Sequence, residues 1–377
     1  MESFQRVGDE ILRRFRAVEL DESAFPDLVV PVLEEARLFE STTLESLVDG
    51  VLEAEKLPPA SVSKVFSDAG ICVYHDTSFA MEVLTWLDAS TMIHAHKFCG
   101  AFQVLVGGSL HTQYSFAEER RVSEQLSFGR LERSRVEHLV PGSIARIRAG
   151  SAFIHRLFHL ERPSLSLVVR TFVQGAVPQY AYLEPGIRYD PFRRPPELDQ
   201  RIKLLRVLER LDHPGFVERL KRRILGSDLY SSFYYAIEFV HALRAKGLLD
   251  EVLPAIRERF REQAPILEAA ADQRWRYERI IGMRGTVTDP EHRFFLALLL
   301  NASDRSELFD LIRTRYRTDA PEETAVRWIE ELSGADGPFS FDEAELEQLA
   351  AWVHRDARAR GDLHVGLRDS ILRPLFR

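Results

Sequence analysis

From about Gly70 to Tyr182 the chain is cut into short stretches rich in β-branched and aromatic residues. They read ICVYHDTSFAMEVLTWL, MIHAH, AFQVLVGGSLHTQYSF, RVEHLVPGSIARIRAG, AFIHRLFHL and LSLVVRTFVQ, with Gly, Pro, Asp and Ser between them. Short strands with turns at this spacing predict an all-β barrel or sandwich. No other feature constrains the fold as strongly, because a period of two residues and a period of 3.6 cannot bury the same face.

Both flanks carry the helical period instead. In FQRVGDEILRRF, Val7, Ile11, Leu12 and Phe15 share one stripe, and PDLVVPVLEEARLF and TLESLVDGVLEAEKL follow with similar spacing. After the barrel block comes EPGIRYDPFRRPPEL, rich in Pro and charge, which reads as a linker or an extended wrap. Beyond it the pattern is helical throughout. DQRIKLLRVLERLD puts Ile202, Leu205, Leu208 and Leu211 on one face. Pro290 behind Asp289 and Pro321 behind Asp319 mark helix starts, and SFDE reads as a capping box formed by Ser340 and Glu343. The expected organisation is an N-terminal helical segment over 1–68, a β-barrel over 69–183, a linker over 184–198 and an all-helical domain over 199–377, an α+β chain of several parts. Its 377 residues suffice for that division, since domains run to roughly 100–200 residues each.

The formal net charge is −8, a sign that repels nucleic acid and anionic membrane. RLKRR at 219–223 lies within a charged helix and reads as a solvated face. Two cysteines, Cys72 and Cys99, are too few for a disulfide framework and suit a reducing cytoplasm. The longest apolar run, FFLALLL, is far short of the ~18 residues of a membrane span.

His94 and His96 stand two residues apart in an apolar segment. On a strand they project to one face and converge on one point, with Ala95 turned away. Such a pair offers two imidazoles to a metal ion. A third ligand is expected from a later strand returning beside the first, and His155 in AFIHRLFHL is the candidate.

H-x-H followed by Ala101 and then by Gly108 resembles the first signature of the cupin superfamily, in which a Glu follows H-x-H and a Gly marks the hairpin. Ala101 stands where that Glu is common. The stretch around His155 resembles the second cupin signature, with His159 where an Asn is common. Three histidines and no Glu resemble the cysteine dioxygenase type of thiol dioxygenase. FAMEVLTWLDASTMIHAH is similar to that family's strand and Trp leading into I-H-x-H, and FIHRL to its third-histidine strand. The likeness covers residues 70–180.

The resemblance implies a cupin-like antiparallel barrel, a double-stranded β-helix, holding iron(II) through His94, His96 and His155 with O2 as co-substrate. Zinc, nickel and copper also suit imidazole ligands. The family's carboxylate-binding Arg has no counterpart before H-x-H: residues 57–119 contain no arginine, and Lys64 and Lys97 are their fixed cations. Free cysteine is therefore not the expected substrate. Arg170 is the expected replacement. His159, on the face of His155, and Tyr114 complete the candidate catalytic set. Each ligand imidazole needs a partner for its second nitrogen, and Gln103, Thr112, Tyr114 and His111 are the candidates. His111, after the Gly-Gly-Ser turn, is expected to face solvent or to pack.

The function expected from this reading is a mononuclear non-haem iron oxygenase or dioxygenase acting on a small organic molecule that bears a thiol or carboxylate. The alternatives are a non-enzymatic cupin that binds a ligand or serves as a scaffold, and a metal-dependent isomerase or lyase. The helical domain would form a homodimer or receive a carrier- or peptide-bound partner. Neither nucleic acid nor membrane is an expected partner.

Overall fold

The structure, a computed structural model, describes residues 1–55, 67–88, 90–172, 178–333, 337–354 and 371–376. Lys64 and the Val173–Gln174 end of the last expected strand lie outside the described residues. Three helices open the chain: α1 (Glu2–Ala17), α2 (Phe25–Ala36) and α3 (Leu44–Leu52). Eleven strands follow: β1 (Ala69–His75), β2 (Phe79–Trp86), β3 (Ile93–His96), β4 (Gly100–Val106), β5 (Ser109–Arg121), β6 (Leu126–Leu139), β7 (Ile144–Ile147), β8 (Gly150–His159), β9 (Ser164–Thr171), β10 (Ala181–Leu183) and β11 (Ile187–Tyr189). Nine helices complete the described chain: α4 (Pro196–Arg210), α5 (Phe216–Gly226), α6 (Leu229–Ala245), α7 (Leu249–Phe260), α8 (Ala264–Arg284), α9 (Pro290–Asn301), α10 (Arg305–Tyr316), α11 (Pro321–Leu332) and α12 (Glu343–His354).

The strands form two sheets. One is open, in the order β1-β2-β9-β4-β7. The other closes on itself in the order β10-β11-β6-β5-β8-β3. Closure comes from Ala181 pairing with His94. Every pairing is antiparallel, and strands distant in sequence lie side by side. This is the antiparallel β-barrel between helical flanks, an α+β architecture, that the sequence predicts. The barrel runs past the expected end, because β11, inside the Pro-rich stretch read as linker, pairs with β6 through Ile187 and Phe128.

Residue alternation decides what each sheet face covers. On β4, Ala101 and Leu105 join the core beneath α1 and α2, whereas Phe102 and Val104 join the core between the sheets. Phe4, Val7, Ile11 and Phe15 of α1 are buried in the first of these cores. Burial of each such side chain contributes about 1.5–3 kcal/mol, which fixes the N-terminal helices to the open sheet. The C-terminal helices cover the closed sheet through two cores. Leu110, Phe158 and Leu160 pack with α8 to α12, and Leu126, Phe128 and Ile187 with α4 to α8. The β4–β5 turn needs Gly107, whose φ is +74°.

Two local expectations change. Asp342 and Glu345, not Ser340 and Glu343, form the reciprocal cap of α12: the Glu345 amide donates to Asp342 Oδ1 and the Asp342 amide to Glu345 Oε2. Leu211 is exposed, because α4 ends at Arg210 and leaves it outside the buried stripe. The Asp289 cap of α9 holds as read, with Oδ1 accepting from the Glu291 and His292 amides. No helix among the described residues is long and apolar enough to cross a membrane.

Candidate metal centre

Strand β3 is only four residues long, IHAH, and lies against β8 with His94 directly opposite His155. Ala95 turns to the other face, into a cluster with Tyr114, Ile154 and Tyr182. The imidazoles of His94, His96 and His155 thus meet on one side of the sheet, one ligand atom from each lying within 4.8 Å of the others. The Nε2 atoms of His96 and His155 are 2.8 Å apart. No carboxylate belongs to the cluster.

The protonation chemistry fits a metal. Burial pushes the His94 imidazole below its ordinary range, and pushes His96 and His155 well below it with help from neighbouring histidines. Neutral rings keep a lone pair for a cation at neutral pH. His94 Nδ1 donates to the Met92 carbonyl at 2.8 Å, which leaves Nε2 as the free lone pair. His155 Nδ1 lies 3.1 Å from His111 Nε2, so its Nε2 is likewise directed at the cluster. His96 Nδ1 is buried with no partner among the described residues.

The three rings line a cavity of about 260 Å³ whose walls include Trp86, Phe98, Phe102, Leu157 and Val168. Trp86 Nε1 is held by Ser166 Oγ at 2.9 Å. Two cations reach this space, Lys97 and Arg170. Arg170 Nε donates to the fully buried Glu82 carboxylate at 2.9 Å, and its guanidinium lies over the Phe98 ring, 5.5 Å from the centroid. Its Nη2 is buried with no partner among the described residues.

The remaining expected residues divide by face. Tyr114 and Thr112 point away from the cavity. Tyr114 is buried beside Ile154 and Tyr182, and Thr112 Oγ1 donates to Asn301 Oδ1 in α9. Gln103 is fully buried but shares the strand parity of Ala101, so it also faces away from the metal cluster. His159 does not line the cavity: its ring stacks on Trp86 at 4.3 Å and its Nδ1 bonds Ser109 Oγ at 2.9 Å. Ala101, the expected Glu position, is turned toward the N-terminal helices, and a carboxylate there would not reach the histidines.

His111, one of the four candidate partners for the cluster imidazoles, takes that role and does not face solvent. It is 0% exposed and touches His155 directly. Glu137, which no sequence signal singled out, bonds its Nδ1 at 3.0 Å, and that bond holds the Glu137 carboxyl below its usual range. Only the register of β5 against β6, which sets His111 opposite Glu137, would have found it.

No protein-family model and no curated protein matches the chain. Solved structures give partial likenesses. The protein TT1209 from Thermus thermophilus is 22% identical, over 27% of this chain and 81% of that one, with a TM-score of 0.20. Hydroquinone 1,2-dioxygenase from Sphingomonas sp. TTNP3 is 10% identical, over 30% of this chain and 70% of that one, with a TM-score of 0.23. An oxalate decarboxylase is 17% identical, with a TM-score of 0.20, over 28% of this chain and only 24% of that one. Likeness at this level assigns no activity.

Proposed function

We propose that the chain is a mononuclear iron(II)-dependent oxygenase that acts on a small, mostly apolar organic anion. One observation carries the reading: three neutral imidazoles, with no carboxylate among them, converge in an apolar cavity that the guanidinium-bearing Arg170 also lines. Iron(II) held by His94, His96 and His155 would supply the redox chemistry that O2 needs to react with a substrate bound beside it.

The chain's own residues do the rest. His94, His96 and His155 bring no negative charge, so a cation there leaves a positive site in an apolar surround. Such a site favours an anionic partner over a neutral one. Arg170 brings a positive charge to the wall of that cavity, and Glu82 fixes its guanidinium through Nε. Trp86, Phe98 and Phe102 exclude water and select a flat or branched apolar body.

The test is reconstitution under argon with Fe2+, followed by metal analysis and by oxygen uptake with a panel of small hydrophobic carboxylates and thiols. Wild type is expected to hold about one iron per chain and His94→Ala to lose it, as the loss of one of three ligands requires. Oxygen uptake should depend on both iron and substrate. Turnover without oxygen uptake would replace the oxygenase with an isomerase or lyase. A wild type that binds no metal would leave a ligand-binding scaffold.

A further inference from the structure

The closed sheet carries one line of side chains across four neighbouring strands. Glu137 on β6, His111 on β5, His155 on β8 and His94 on β3 follow the strand order of that sheet. Glu137 Oε1 lies 3.0 Å from His111 Nδ1, and His111 Nε2 lies 3.1 Å from His155 Nδ1. Phe102 and Phe153 wall this line on the cavity side, their ring centroids 5.6 and 5.9 Å from that of His111.

The direction of the line follows from its outer end. A carboxylate accepts and cannot donate, so the proton of a neutral His111 sits on Nδ1. Its Nε2 must then accept, and the proton that it accepts is the one on His155 Nδ1. That leaves the lone pair of His155 on Nε2, the atom beside His96. The wrong tautomer of His155 would turn an N–H toward the cation. Glu137 is itself fixed by Arg135 at 2.6 Å and by Gln113 at 3.4 Å.

We propose that His111 and Glu137 are positioning residues for the metal centre: they select the ligating tautomer of His155 and lend it the charge of a carboxylate two bonds away. The negative charge of that carboxylate reaches the three-histidine cluster through a buried imidazole, although no carboxylate stands in the cluster itself among the described residues. This inference rests on the three-histidine reading of the site.

The experiment measures Zn2+ affinity by competition with a chromophoric chelator, and the visible absorption of the Co2+ form, at one fixed pH. The proteins are wild type, His111→Phe, Glu137→Gln and, as a control for surface charge, Glu132→Gln, an exposed residue on the same strand. His111→Phe is expected to raise the Zn2+ Kd by about 10–100-fold, the usual cost of losing such a partner. Glu137→Gln keeps an acceptor but loses the charge, so its Kd should rise less, with its Co2+ bands displaced. Glu132→Gln should behave as wild type. Should His111→Phe fail to fold, Glu137→Gln decides alone. Wild-type affinities and superimposable Co2+ spectra in both variants would overturn the proposal while leaving the metal site intact. A wild type that binds neither ion would overturn the metal reading, and this inference with it.

Discussion

Replacing Arg293 with methionine should cost far more than removing a surface charge, and should disturb barrel and helices together. Arg293 lies in α9 with a side chain 3% exposed. Its Nε donates to the Leu160 carbonyl at 2.9 Å and its Nη2 to the Leu87 carbonyl at 3.2 Å. Nη1 reaches Asp88 Oδ1 at 2.9 Å and the carbonyls of Arg284 and Val287 at 3.0 and 3.3 Å. Arg284 bonds the same region through the carbonyls of Asp88 and His159. The acceptors at Leu87 and Asp88 stand at the end of β2, which precedes the H-x-H strand, and those at His159 and Leu160 at the end of β8, which carries His155. Methionine keeps much of the apolar stem, so the loss is mainly polar. Two orphaned barrel carbonyls cost about 1–3 kcal/mol each. Asp88 is 31% exposed and retains Arg162 at 3.5 Å, so it adds little. The total matches the 3–5 kcal/mol, roughly, of breaking a buried charged pair. Urea unfolding read by far-UV circular dichroism and by tryptophan fluorescence measures it, with Trp86 in the barrel and Trp275, Trp328 and Trp352 in the helices all contributing to the second signal. Both signals should shift together to lower urea. A loss below about 1 kcal/mol, the range of an exposed ion pair, or a shift in one probe alone, would refute the claim that α9 holds the barrel.

Three further outcomes follow from individual side chains. Gln103 is 0% exposed and neither end of its amide has a partner among the described residues. Gln103→Leu should therefore raise the urea midpoint, by about 1–3 kcal/mol in stability; a fall would mean that the amide is bonded. A Cβ on Gly100 would sit 1.9 Å from the Val169 carbonyl oxygen. Gly100→Ala should part β4 from β9 and lower the melting temperature, at a cost of about 1–3 kcal/mol, and an unchanged melt would contradict that contact. His138 is held at about 4 rather than 6.5, chiefly by burial and then by Arg315, whose Nη1 donates to its Nε2 at 2.6 Å. The unfolded chain therefore binds a proton that the folded chain refuses between those values, and stability falls as pH drops from 6.5 toward 4. His138→Gln should flatten that slope. The buried histidines of the cluster act with the same sign, so the difference between the two proteins is what counts, and parallel curves would refute the assignment.

Strand parity made the core of the site legible. His94 and His96 share a face by their spacing alone, and the return of a later strand beside them brought His155 within reach. The same rule explains Arg156: adjacent to His155, it points to the other side, where its Nη2 bonds the Leu300 carbonyl. Parity did not carry His159 to the cavity. It shares the face of His155, but four residues along a strand is a rise of about 13 Å, and Trp86 intervenes. Nor did periodicity show that the Pro-rich stretch after Tyr182 completes the barrel, because a strand of three residues is too short to show a period.

Position 101 and residues 111 and 137 show what spacing along the chain cannot encode. A motif counts residues across the turn between β3 and β4, but alternation is broken wherever the backbone leaves the strand. Ala101 therefore sits where a signature expects a carboxylate and yet faces the N-terminal helices. Glu137 stands 26 residues from His111 and is set opposite it by the pairing of β5 with β6, whose register shifts at Gln113/Tyr114. A second shift, at Glu118/Arg120, cancels the first before His111 is reached, so that carboxylate is placed only once the register of the hairpin, bulges included, is known. The carboxylate that reaches His155 through His111 is consequently a property of sheet pairing. A search for a carboxylate at a fixed distance after H-x-H would pass over it.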